Sequence, residues 1–114
     1  MATLYKQLGR AAGSGTIGTA AQLYAASGTA STSTVISSIV VCNAGSASRT
    51  FSIGVNAASA TFASGEYVVY QSVITANDTI ALTLGVVLDP TARYLNVSSS
   101  SADVNFSAYG AENT

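Results

Sequence analysis

VISSIVVCNAGSASRTFSIGV, residues 35–55, holds two strand-like runs on either side of a turn of small residues. In the second run Phe51, Ile53 and Val55 fall on one side and Thr50, Ser52 and Gly54 on the other. That is the period-two pattern of a strand with one buried face. The linker Asn-Ala-Gly-Ser-Ala-Ser (43–48) is turn chemistry, because Asn and Gly tolerate left-handed backbone angles. The pattern predicts a central β-hairpin in a small all-β domain, with strands at about 33–43 and 48–56.

Outward from this stretch the same chemistry recurs. Residues 67–75 (YVVYQSVIT) are β-branched and aromatic, and Ala-Asn-Asp (76–78) turns the chain. Residues 79–84 alternate, with Ile80, Leu82 and Leu84 on one face, and 85–91 read as a loop closing on Asp89-Pro90. A strand over 93–99 points Leu95 and Val97 inward, and 100–103 form a turn. The last strand, 104–109, puts Val104, Phe106 and Ala108 on one side. Phe62 reads as tucked into the core from the connection 57–66. Before the central stretch, residues 1–30 read as an extended N-terminal arm with a possible first strand. Its alanines permit at most a short helix over 19–26. The body is then 31–114, a single antiparallel β-sandwich of seven or eight strands, an immunoglobulin-like or jelly-roll Greek key.

Composition narrows the function. Only 8% of the 114 residues are charged, against about 25% in an ordinary soluble domain, and the net charge is −1. Lys6, Arg10, Arg49 and Arg93 are scattered, so there is no footprint for nucleic acid or for an anionic membrane. A surface of Ala, Ser, Thr and Gly with so little charge favours association. With one proline the strand edges look little protected, which points the same way. The opening MATLYKQLGR lacks the apolar core of a signal peptide. Cys42 stands alone in the run Ile39–Cys42 and reads as a small packing residue.

Catalytic chemistry finds little material. There is no histidine, so no Ser-His-Asp triad, and the acids Glu66, Asp78, Asp89, Asp103 and Glu112 fall in or beside turns or in the tail. The reading is of a protein that is not an enzyme and holds no cofactor or metal. Gly-Ser-Gly-Thr-Ile-Gly (13–18) matches a dinucleotide-binding pattern, but a strand, a long helix and an acidic residue about 20 positions on are missing. Asn-Asp-Thr (77–79) and Asn-Val-Ser (96–98) match the glycosylation sequon without a secretion signal to support its use. Phe51 and Phe106 read as core, and Tyr67 and Tyr70 as pointing to opposite faces. Tyr5, Leu8, Leu23, Tyr24, Tyr70, Tyr94 and Tyr109 form the candidate subunit interface, since tyrosine suits half-buried contacts. The alternative is a carbohydrate- or receptor-binding β-sandwich module of a fibre or adhesin, its exposed tyrosines stacking on a surface glycan.

The segments VVCNAGSASRTFSIGV (40–55), YVVYQSVITANDTIALTLGVVLDP (67–90) and DVNFSAYGAE (103–112), with MATLYKQLG and Leu23-Tyr24, together resemble small β-sandwich virion structural proteins of tailed bacteriophages, including those of cyanobacteria. The resemblance covers most of the chain and implies no catalytic residues. It implies a homo-oligomer with other virion proteins as partners, assembled in the host cytoplasm into a virion. The position in the virion is a capsid decoration or cement protein, or a tail, neck or baseplate component.

Overall fold

The computed structural model describes residues 3–13, 15, 21–25, 33–56, 67–88 and 94–113. Its elements are the strands β1 (Thr3–Ala12), β2 (Ala21–Ala25), β3 (Ser33–Asn43), β4 (Arg49–Asn56), β5 (Tyr67–Ile74), β6 (Thr79–Leu88), β7 (Tyr94–Ser99) and β8 (Val104–Asn113). They form two four-stranded sheets, ordered β1-β8-β3-β6 and β2-β7-β4-β5. The antiparallel ladders β4 with β5, β3 with β6, β2 with β7 and β1 with β8 nest inside one another along the sequence. A strip of four nested pairs rolled into two sheets is the jelly roll. Of the two Greek-key forms expected, the strand order selects this one.

The expected central hairpin is not a hairpin. β3 and β4 lie in different sheets, and residues 44–48 arch from one to the other. Alternation was satisfied either way: Ile39 and Val41 face Phe51 and Ile53 across the core instead of beside them. The loop is organised by hydrogen bonds. Asn43 is fully buried, and its amide donates to the carbonyls of Ala47 (2.9 Å), Ile74 (3.2 Å) and Thr75 (3.2 Å). Its side-chain oxygen accepts from the Gly45 amide at 3.0 Å. Neither Asn43 nor Gly45 takes a positive φ. A Cβ at Gly45 would meet the exposed Asp103 side chain, which would have to swing aside.

The core interleaves both inner faces. Phe51 and Phe106 meet edge to face at 6.0 Å, surrounded by Ile36, Ile39, Ile53 and Leu95. Each fully buried side chain of this size contributes about 1.5–3 kcal/mol over its exposed state. Leu95 and Val97, and Val104, Phe106 and Ala108, point inward as the alternation requires. Phe62 lies outside the described residues.

Further corrections concern element boundaries and faces. β6 does not end at Leu84 but runs to the buried Leu88. Gly85, at φ 65°, makes a bulge opposite Ser37 that resets the alternation, so Val86 and Leu88 face inward and Val87 outward. The segments 3–12 and 21–25, which the composition puts in an arm, pair with β8 and β7 and belong to the two sheets. β4 is buried on both faces, not one: Ser52, Asn56, Asn96 and Ser98 alternate outward from the core side chains of β4 and β7, yet all four are buried. Asn96 donates to Asn56 at 2.8 Å, and Ser52 accepts the Gln71 amide at 2.8 Å, so hydrogen bonding offsets the burial.

Candidate functional site

The two sheets differ in what they present to solvent. The outward positions Ser52, Asn56, Asn96 and Ser98 of β4 and β7 are buried, whereas the outer positions of β1-β8-β3-β6 among the described residues are exposed or half-buried. Strand register lays that face out in four rows. Two are Ala12, Asn105, Cys42, Thr79 and Arg10, Ser107, Val40, Ala81. The next two are Gln7, Tyr109, Ser38, Thr83 and Tyr5, Ala111, Val35, Val87. Arg10, at one corner, is the single charged residue among these sixteen positions. Val87 is 57% exposed, and Val35, Val40, Cys42 and Tyr109 are half-buried. Cys42 therefore lies on the outer face and not in the core.

Two ion pairs among the described residues sit off these positions. Lys6 Nζ pairs with Glu112 Oε1 at 2.9 Å, and Arg49 Nη2 with Asp103 Oδ2 at 3.4 Å. The Tyr24 hydroxyl, from the opposite sheet, donates to Glu112 and lies 3.2 Å from Thr34 Oγ1. That bond from Tyr24, then the one from Lys6, holds the Glu112 carboxyl below its ordinary range against a smaller opposing effect of burial. Burial, then the hydrogen bond to Glu112, pushes the Tyr24 hydroxyl up. Lys6, Glu112, Thr34 and Tyr24 thus fasten the two sheets together at one end.

The candidate interface residues separate accordingly. Tyr109 occupies an outer-face register position, and Tyr5 is the β1 register partner of Ala111. Leu23 is 5% exposed and belongs to the chain's own core, and Leu8 packs against that core. The Tyr24 hydroxyl is committed to Glu112 and Thr34 inside the fold, and Tyr94 is half-buried on β7. Tyr70 is 62% exposed on β5, away from the bare face. Tyr67 and Tyr70 do not diverge as strict alternation requires; their rings meet edge to face at 4.7 Å. The β4–β5 ladder shifts register twice, and Gln71 has φ 47°, so the strand is bulged between them and beyond.

No family model, curated protein or solved structure matches this chain.

Sequence reasoning missed Arg10, Val35, Val40 and Val87 as members of one surface. Each looked like an isolated residue, and only the register across four strands collects them. Asp78 was read as a turn residue, which it is: its carboxylate accepts from the Thr79 amide at 2.9 Å and from the Thr75 hydroxyl at 3.2 Å. It directly precedes β6, an edge strand of this sheet. Near the Arg10 corner a depression of about 390 Å³ is lined by Arg10, Ala11, Ala12, Asn105, Phe106 and Ser107.

Proposed function

We propose that this chain is a structural subunit of a tailed-phage virion, present in many copies as a capsid decoration or cement protein or as a tail, neck or baseplate component. The observation that carries the reading is the bare, nearly uncharged outer face of β1-β8-β3-β6, beside a second sheet whose central strands are buried on both sides. A flat surface of small residues loses little on desolvation and packs closely against a neighbour. The jelly roll, an architecture of viral capsid domains, fits the assignment to a virion. In this role the chain acts by covering surface between subunits, and a short chain repeated by symmetry builds a large structure.

Two measurements test this. Sedimentation of the purified protein over a wide concentration range is expected to show self-association; a monomer at every concentration contradicts it. Quantitative mass spectrometry of purified particles of the encoding phage is expected to find the chain in tens to hundreds of copies. Its absence from the particles overturns the virion assignment.

A second reading, binding of a host glycan, is favoured by one feature. Tyr70 is exposed, braced by Tyr67, and its hydroxyl accepts from Gln71 Nε2 at 3.3 Å. An aromatic face beside an amide is a sugar-stacking arrangement. Glycan-array binding that is lost in Tyr70→Ala favours this reading; no binding by the native protein removes it.

A further inference from the structure

We propose that the occupant of the bare face is a second copy of this chain, packed face to face about a two-fold axis parallel to the strands. This rests on the assembly reading above and specifies its interface.

The edges of the sheets argue for a face. Ladders to all four edge strands carry register shifts: at Leu8 in β1, Leu23 in β2, Gln71 in β5 and Gly85 in β6. Bulges twist an edge away from pairing and blunt it as a template for another strand. The low proline content made these edges look unprotected; the bulges protect them instead.

Charge selects the occupant and the axis. Among the described residues Lys6 and Arg49 have acidic partners, and Arg10 and Asp78 have no ion-pair partner. Arg10 on β1 and Asp78, which directly precedes β6, stand toward the same end of the sheet, at its opposite edges. Three strand spacings and an offset of three residues, about 17 Å in all, separate them within one chain, so they do not meet there. An axis parallel to the strands lays β6 of one copy over β1 of the other. Arg10 then lies toward Asp78 of the second copy, and the symmetry makes the pair twice. The offset along the strands is three residues, about 10 Å, and facing sheets stand about 10 Å apart, so the two backbones lie about 14 Å from each other, a distance that an extended arginine and an aspartate together span. An axis across the strands lays β1 over β1 and forms neither pair.

Shape agrees with charge. The depression lined by Arg10, Ala12, Asn105 and Ser107 lies at one corner, and the turn ending in Asp78 lies at the other. The same axis brings each turn to the second copy's depression. The turn is fixed in place, because the Asn43 amide binds the Ile74 and Thr75 carbonyls and the Asn43 backbone N–H donates to the Asp78 carbonyl at 2.9 Å. Four strands by four rows give a face of about 19 by 24 Å, so a pair buries about 900–1,000 Å² in all. That is near the lower limit for a specific interface, and it fits a contact repeated in an array.

The test is a charge swap on the full chain, read by sedimentation. Arg10→Glu and Asp78→Arg are each expected to weaken self-association by about tenfold or more, since each sets like charges together twice. The double variant Arg10→Glu/Asp78→Arg is expected to restore it to within about threefold of the native protein. Arg10 is exposed on an edge strand, so Arg10→Glu keeps the fold even if Asp78→Arg loosens its turn. The native Cys42, on a middle strand of the face, supplies an independent readout: a short bismaleimide is expected to link two copies through it. Self-association that ignores both single changes overturns this interface and leaves the assembly reading standing. No self-association and no Cys42 cross-link overturns both.

Discussion

Asn43 has no exposed surface, yet its two amide hydrogens are shared among three carbonyls and its side-chain oxygen accepts one bond. It ties the β3–β4 arch to the end of β5, and so joins the two sheets through one amide. Removing it strands buried carbonyls, so Asn43→Ala is expected to cost about 2–3 kcal/mol in urea unfolding. A loss no larger than that of an exposed turn residue contradicts this role. At the other end the Lys6, Glu112, Tyr24 and Thr34 group sets a pH window. Glu112 titrates below its unfolded value, so its contribution is present above about pH 4.3 and is lost as pH falls through the folded value. Tyr24 titrates above its unfolded value, so its contribution is present below about pH 10 and is lost as pH rises through the folded value. Melting temperatures against pH are expected to fall on both sides. Glu112→Gln should flatten the acid limb and Tyr24→Phe the alkaline one; unchanged limbs would show that neither group is linked to folding. The sequence named Asn43 for backbone freedom and Tyr24 for an interface. Both turned out to be internal hydrogen-bonding residues, because their partners lie 31 and 88 positions away and no local pattern points to them.

Strands as elements were legible and their partners were not. Alternation is a property of one strand and two faces, so it located Ile53, Leu95, Val97, Val104 and Phe106 inward. It does not distinguish a hairpin from an arch between sheets, and it assigns polar positions such as Ser52 and Asn96 to solvent although both are buried. Two glycines show what else the strand pattern leaves out. Gly85 has φ 65° with open space around the position of a Cβ, so Gly85→Ala meets only backbone strain. A loss of about 1–2 kcal/mol is expected. Gly110 sits against the Val35 carbonyl in the β8–β3 ladder, where a Cβ would collide with backbone. Gly110→Ala is expected to cost about 1–3 kcal/mol through displacement of the central strand. Gly85→Asn separates the two causes: Asn tolerates the left-handed region, so part of the loss at Gly85 should be recovered, whereas Gly110→Asn should be worse than Gly110→Ala. Chemical denaturation of the four variants decides it, and equal losses for both residue types at either site contradict the assignment.

On the scale of the whole molecule, the low charge raises the expectation of a covered surface, and the folded register shows which face carries almost no charge. The same nesting that collects Arg10, Val40 and Val87 on one face also orders folding. β4 and β5 close the shortest loop, β3 and β6 the next, and β1 and β8 join the two ends of the chain. Closure entropy rises with loop length, so the inner pairs gain their contacts at the least entropic cost. The transition state is therefore expected to hold β4, β5, β3 and β6, with β8 and β1 added later. Ile53→Val and Ile74→Val each remove one buried methylene, about 0.5–1.5 kcal/mol, which is enough to measure. Both should slow folding, with φ of about 0.5–0.8. Val104→Ala, on β8, should mainly speed unfolding, with φ below about 0.3. Stopped-flow folding and unfolding in urea gives all three values. The opposite order, high at Val104 and low at Ile53 and Ile74, would mean that the β3–β8 ladder at the middle of the first sheet nucleates the fold, and that long-range core contact outweighs loop closure in this topology.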